Sequence, residues 1–275
     1  MKFQSPKTGD SFSAGLDAAW PGIVFQTDAN GTHDWTWTVQ WGTFKKNGAV
    51  QTSGNSWDAG PAVADAGGIL TVTASAGGEN ASITVKIGGT NPTPAAAMAY
   101  LAGKSGADGF DKILQHESKF RQFTATGEPL KSFDNGYGMC QLTTPAPTCE
   151  QVWNWQRNID GGLALFAAKM AAATKYLSQS GRTFTPEQLK YEAVCRWNGG
   201  AYHVWDAAAN KWVRNPNILC DRTTGSIGWD MTDPANAGKS AQELHSRDSG
   251  SYSKPPGAGA HWKYSGICYA DAILG

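Results

Sequence analysis

Hydrophobic and polar positions along the first ninety residues follow a two-residue period. From Trp35 to Trp41 the order Trp-Thr-Trp-Thr-Val-Gln-Trp puts Trp35, Trp37, Val39 and Trp41 on one face and Thr36, Thr38 and Gln40 on the other. That alternation predicts a half-buried β-strand. Leu70, Val72 and Ala74 alternate in the same way, Gly77-Gly78 supplies a turn, and Ala81, Ile83, Val85 and Ile87 make the return strand of a hairpin. Short strands with glycine-rich turns and no helical period predict a β-sandwich over residues 1–90. The run Gly88-Gly89-Thr90-Asn91-Pro92-Thr93-Pro94 ends that pattern and reads as a linker over 91–97, because proline lacks an amide donor and favours extended backbone.

Beyond the linker the period becomes helical. Phe110, Ile113, Leu114 and Glu117 fall at i, i+3, i+4 and i+7, and Ile159, Leu163, Phe166, Met170 and Leu177 share another face. Thr185-Pro186-Glu187-Gln188 combines an N-cap, a proline at the first helical position and a capping-box Gln, so a helix is predicted from there to about Arg196. Tyr202 to Asp206 and Lys211 to Asn215 bracket a turn and predict a hairpin. From Asn215 to His261 the chain is polar and long for an unstructured connection, a type of insertion that is often functional. The expected fold class is a two-domain chain, with an all-β sandwich first and a mainly α domain over 98–275. The stretch from Trp35 through Ile87 resembles bacterial immunoglobulin-like domains, with a tryptophan-rich central strand and a terminal hairpin.

Composition narrows the function classes. A chain of 275 residues is long enough for two cores. Lys plus Arg equals Asp plus Glu at 23 each, so no excess field draws a polyanion and a nucleic-acid partner is not expected. Charged residues make up only 17%, against 12 Trp and 33 Gly, a balance suited to sugar or peptide ligands held on aromatic platforms. No window approaches the roughly 20 apolar residues of a bilayer span. The start Met1-Lys2-Phe3-Gln4-Ser5-Pro6 is polar and lacks the apolar run of a secretory signal. None of the five cysteines (Cys140, Cys149, Cys195, Cys220, Cys268) forms a C-x-x-C pair or stands at zinc-ligand spacing with a histidine, so neither metal nor cofactor is expected. Two disulfides plus a free thiol would suit an oxidising destination; five buried thiols are the alternative.

Glu117 is the residue with the clearest chemical potential. Its spacing places a carboxyl on the apolar stripe of a helix, and a carboxyl in apolar surroundings holds its proton to higher pH, which is how a glycosidase makes a general acid. The structural alternative is that the helix ends at Glu117 and leaves it an exposed terminal residue. His116 points about 100° away from it on a helix and is expected to be a surface histidine.

Four motifs follow in order: Glu117-Ser118-x-Phe120, Asn135-Gly136-Tyr137-Gly138-Met139-Cys140-Gln141-Leu142, Asn158-Ile159-x-x-Gly162 and Trp197-Asn198-Gly199-Gly200. Together they resemble the goose-type lysozyme and lytic transglycosylase superfamily over about Tyr100 to Gly200, with Tyr269 to Leu274 similar to its last helix. The resemblance implies a lysozyme-like fold for the second domain and cleavage of the β-1,4 bond between N-acetylmuramic acid and N-acetylglucosamine in peptidoglycan. It implies Glu117 as acid, and Ser118, Gly136, Tyr137, Gly138, Gln141, Trp197 and Asn198 as substrate-binding residues. Trp197 stands where the family has Tyr, so Tyr264 or Tyr269 is a candidate for the missing hydroxyl. Asp134 is the candidate second carboxylate, which an inverting hydrolase needs to hold water and a transglycosylase does not, and hydrolysis is expected slightly ahead of transglycosylation. The structural alternative for Asp134 is a turn residue bonding its own backbone. A non-catalytic wall-binding protein with a degenerate site is the competing function. With a wall substrate and no signal sequence, a route to the periplasm or wall through a phage particle or delivery machinery is expected, and an immunity protein is a possible partner.

Overall fold

The computed structural model describes residues 1–253 and 255–275. By internal packing it divides into two compact units, Met1–Ser105 with Glu117–Gly162, and Gly106–His116 with Leu163–Gly275.

The first unit opens with β1 (Phe3–Ser5), β2 (Ser11–Ser13), β3 (Val24–Thr27), β4 (His33–Trp41), β5 (Phe44–Thr52), β6 (Ser56–Asp58), the short helix α1 (Gly60–Val63), β7 (Gly68–Ala76) and β8 (Glu79–Gly88). Trp35, Trp37 and Val39 of β4 are buried while Thr36 and Gln40 face outward, as the alternation predicts. A five-stranded sheet has the order β2-β8-β7-β4-β5, with β2 parallel to β8 and the other pairs antiparallel. In register Trp37 lies opposite Val72, and Val72 opposite Ile83. A second sheet, β1-β3-β6, contributes Phe25 and Trp57 to the same core, where Trp57 lies 6.0 Å from Trp35 and 5.9 Å from Phe25 between ring centroids. Trp41, half-buried at the end of β4, packs outside that core. It turns to a separate aromatic group, edge-on to Trp153 at 5.9 Å and to Tyr137 at 6.2 Å, with Phe44 beside it.

Helix α2 (Pro94–Ala102) starts inside the expected linker, with Thr93 as its N-cap accepting from the Ala96 amide. Asn91, also in that stretch, is firmly engaged. Its Oδ1 accepts from the Gln122 and Phe123 amides, both at 2.7 Å, and its Nδ2 donates to the Phe123 carbonyl at 2.9 Å. Phe123, Val152 and Trp153 form a small core that also takes in Trp41, Phe44 and Tyr137. A chain shortened to begin at Pro94 would leave these aromatics exposed. Expression with light scattering is expected to find it poorly soluble; a soluble fragment that melts cooperatively would show that residues 94–275 complete their own core.

Helix α3 (Phe110–Ser118) has its first seven residues in the second unit, α4 (Cys149–Trp153) lies in the first, and α5 (Trp155–Leu177) passes from the first into the second at Gly162. The second unit continues with α6 (Pro186–Asn198), β9 (His203–Asp206), β10 (Lys211–Arg214), β11 (Ile218–Cys220), β12 (Ile227–Asp230), α7 (Ala241–Asp248), β13 (Trp262–Tyr264) and α8 (Gly266–Leu274). Helix α6 begins with the predicted capping box of Thr185 and Gln188, and β9 and β10 form the predicted hairpin. The buried Glu192 of α6 fastens that hairpin, its Oε2 accepting from the amides of Tyr202 and His203 at 3.0 Å each. Phe110 packs against Phe166 and Trp197 with centroids 5.4 and 5.5 Å apart.

The expected fold class is corrected by this architecture. Among the described residues 31% are helical and 27% are in strands, spread over several small sheets, and neither an all-β immunoglobulin-like sandwich nor a mainly α lysozyme-like domain describes them. In the N-terminal part Pro61, whose fixed φ suits a first helical turn, sits in α1, which buries Val63 in the core between strands. In the C-terminal part the stretch expected to be irregular, 215–261, holds β11, β12 and α7; β12 pairs antiparallel with β11 and with β13 just beyond the stretch, and Ile227, Trp229 and Leu244 pack with Trp262 of β13 into one core. The cysteines match neither expected pattern. Cys220 and Cys268 form a disulfide and Cys140, Cys149 and Cys195 are free. Among the described residues no helix is long and apolar enough to cross a membrane, and no group of three or more His, Cys, Asp or Glu side chains is arranged to hold a metal ion.

Candidate active site

Helix α3 stops at Ser118, so Glu117 stands in its last turn, half-buried, with Ser118 buried behind it. The stop is abrupt. Lys119 and Phe120 both take left-handed backbone, with φ of 56° and 59°, although neither is glycine and Phe120 is bulky and buried. Of the eight non-glycine residues with positive φ among the described residues, four (Lys119, Phe120, Asn135, Gln141) fall between the end of α3 and Leu142. Each costs of order 1 kcal/mol or more, and such conformations persist where the surroundings over-determine them, which is common at functional sites.

What over-determines this segment is a pair of buried amides. Gln122 donates to the Val152 carbonyl at 2.8 Å and accepts from the Met139 amide at 2.9 Å. Asn158, at the start of α5, accepts from the Cys140 amide at 2.8 Å and donates to the carbonyls of Tyr137 at 3.1 Å and Gln151 at 2.9 Å. Between them lies Gly138, at φ 71°, where a Cβ would overlap both amide groups. Gly136 is buried, and a Cβ there would meet Ser132 Oγ and Gln141 Oε1. Both glycines therefore let the loop close on its own chain. Gln141 Nε2 donates to the Gly138 carbonyl at 2.7 Å and so supports the same loop.

Electrostatics link Glu117 to this loop. Burial pushes the Cys140 thiol well above its usual range, and the neighbouring Glu117 carboxylate raises it further. Tyr137 points its ring into the aromatic group, edge-on to Phe44 at 5.1 Å, while Lys131 Nζ lies 5.4 Å from its centroid. Asp134 is exposed on the turn ahead of the loop and accepts from the Ser132 hydroxyl at 2.5 Å, a side-chain contact within that turn rather than a bond to its own backbone.

The remaining expected residues belong to the second unit. Trp197 is half-buried against Phe110 and Phe166; Asn198 is exposed at the end of α6, capped by Gly199 at φ 102°. Tyr269 is buried in α8 and packs edge-on against His116 at 4.9 Å, so the exposed histidine has a partner that the sequence does not suggest. Tyr264 is 48% exposed on β13. Gln122 carries no weight in the sequence reading and Asn158 appears there only as a motif letter; the flanking Phe120 and Phe123 were the available sign that Gln122 is drawn inward. No protein-family model and no curated protein matches this chain.

Proposed function

We propose that the protein cleaves the β-1,4 bond between N-acetylmuramic acid and N-acetylglucosamine of peptidoglycan, with Glu117 as general acid. The reading rests on one observation above the others. The Glu117 carboxyl at the end of α3 lies in electrostatic reach of the Met139-Cys140-Gln141 loop, which Gln122 and Asn158 hold in a strained form. In this mechanism Glu117 gives its proton to the glycosidic oxygen as the bond to the muramic C1 breaks, and the oxocarbenium-like centre is then captured. Capture by water makes a muramidase; capture by the sugar's own 6-hydroxyl makes a lytic transglycosylase, with Glu117 taking up that proton. Ser118, Gly136, Tyr137, Gly138 and Gln141 support the wall beside Glu117, and Trp197 and Asn198 stay candidates for glycan contact.

Mass spectrometry of digested sacculi tests the reading: reducing ends report hydrolysis, 1,6-anhydromuramic ends report transglycosylation, and intact glycan would favour a wall-binding protein without catalysis. The bond from Ser132 to Asp134 favours the transglycosylase form, since that carboxylate is already engaged in its own turn. Asp134→Asn is accordingly expected to change turnover by less than about threefold, because it removes a charge and preserves shape. A loss of about a hundredfold with unchanged affinity would instead make Asp134 the base that holds water.

A further inference from the structure

We propose that the Cys220–Cys268 disulfide is a redox latch that positions the helix carrying Glu117, so that the enzyme works only when oxidised. This rests on the glycosidase reading for its activity arm. The disulfide joins β11 to the first turn of α8. The next residue, Tyr269, packs on His116, and His116 directly precedes Glu117 in α3. Two covalent steps and one ring contact thus lead from the sulfur to the catalytic carboxyl.

Both sulfurs are placed to be good thiolates. Arg214 Nη2 lies 3.1 Å from Cys220 Sγ. The Asp271 carboxylate lies farther from that sulfur, at 3.7 Å, and is already satisfied by two donors from Arg214 and by the Tyr202 hydroxyl at 2.6 Å. Cys268 sits in the first turn of α8, where its amide donates to the Ser265 cap and the helix end favours negative charge. Stabilising the reduced form makes a disulfide easier to reduce. Access is provided by a cavity of about 540 Å³ lined by both cysteines with Arg214, Arg222 and Asp271. A cellular dithiol attacks Cys220 through one thiolate, forming a mixed disulfide and expelling Cys268 as a thiolate at the helix start. The reductant's second thiol then attacks the mixed disulfide and releases Cys220. Two electrons pass to the protein and the reductant leaves as its own disulfide.

Reduction frees the first turn of α8 from β11 and loosens Tyr269 against His116. A wall-cutting enzyme built this way is idle in a reducing cytoplasm and gains activity in an oxidising compartment. The test compares the oxidised protein, the same protein after dithiothreitol and removal of the reductant under anaerobic conditions, and a C220S/C268S double variant. Turnover of sacculi is expected to fall about tenfold or more on reduction, mainly in kcat with KM little changed, and to return on reoxidation. The double variant should have the low rate with or without dithiothreitol. Circular dichroism should show the reduced protein still folded at the assay temperature. Full activity in the reduced protein overturns the latch. If neither form turns over, the glycosidase reading fails by itself, and hydrogen exchange then decides the latch: residues 265–272 and 113–118 must exchange faster on reduction, and unchanged exchange at both overturns it.

Discussion

Replacing Glu117 by Gln is expected to abolish lytic turnover by at least about a hundredfold while leaving the fold intact, the scale of losing a positioned general acid. Gln keeps the shape and hydrogen-bonding reach of the side chain but cannot give up a proton to a departing oxygen. Glu117 is half-buried in the last turn of α3, where an isosteric amide fits the same space. Turnover measured by release of soluble muropeptides, together with a melting curve, separates the two effects. A variant that clears sacculi at the wild-type rate removes Glu117 from the mechanism, and the proton donor must then be sought elsewhere. A variant that neither clears nor melts cooperatively would mean that the carboxylate anchors the end of α3, and Glu117→Asp would then have to restore folding.

The parts of this molecule that were legible in the sequence are those where one repeated period serves one buried face. Strand β4 is legible because Trp35, Trp37 and Val39 all point into a single core, and α6 because Thr185, Pro186 and Gln188 form a local cap that needs no tertiary partner. The small sheet of β11, β12 and β13 was not, since its strands have only three or four residues each, and Trp229 and Trp262 reach one core from segments more than thirty residues apart. Short α1 is a single turn and leaves no period at all, and with helices and several small sheets spread along the chain the expected fold class did not survive. The pairing of Cys220 with Cys268 was equally out of reach, because spacing does not set connectivity. At the candidate site the glycines were recognisable but their purpose was not. Gly138 is required by Gln122 and Asn158, one sixteen residues before it and the other twenty residues after it, and only the folded loop brings those amides together.

Removing that support should be the most damaging change to stability in the loop. Asn158→Ala takes away the acceptor for the Cys140 amide and the donors to the carbonyls of Tyr137 and Gln151, in a place fully closed to water. A buried polar group left without a partner costs roughly 1 to 3 kcal/mol, and that is the expected loss: the Cys140 amide is left so, while the Tyr137 carbonyl keeps the Leu142 amide at 3.1 Å and the Gln151 carbonyl keeps the longer bond from Gln122 at 3.3 Å. For a unit of this size that lowers the melting temperature by roughly 2 to 12 °C. Activity should fall further than stability at a temperature where the variant is still folded, because Tyr137 to Gln141 would relax from the strained form that sets the wall beside Glu117. Asn158→Asp separates the contributions. It keeps an acceptor for the Cys140 amide and loses both donors, while placing a carboxyl against the carbonyls of Tyr137 and Gln151, so its melting temperature should lie between those of wild type and Asn158→Ala only if the acceptor role dominates. If Asn158→Ala melts with the wild type and retains turnover, the loop is held by the aromatic group of Trp41, Phe44 and Tyr137 alone, and the strain at Phe120 and Gln141 has another cause.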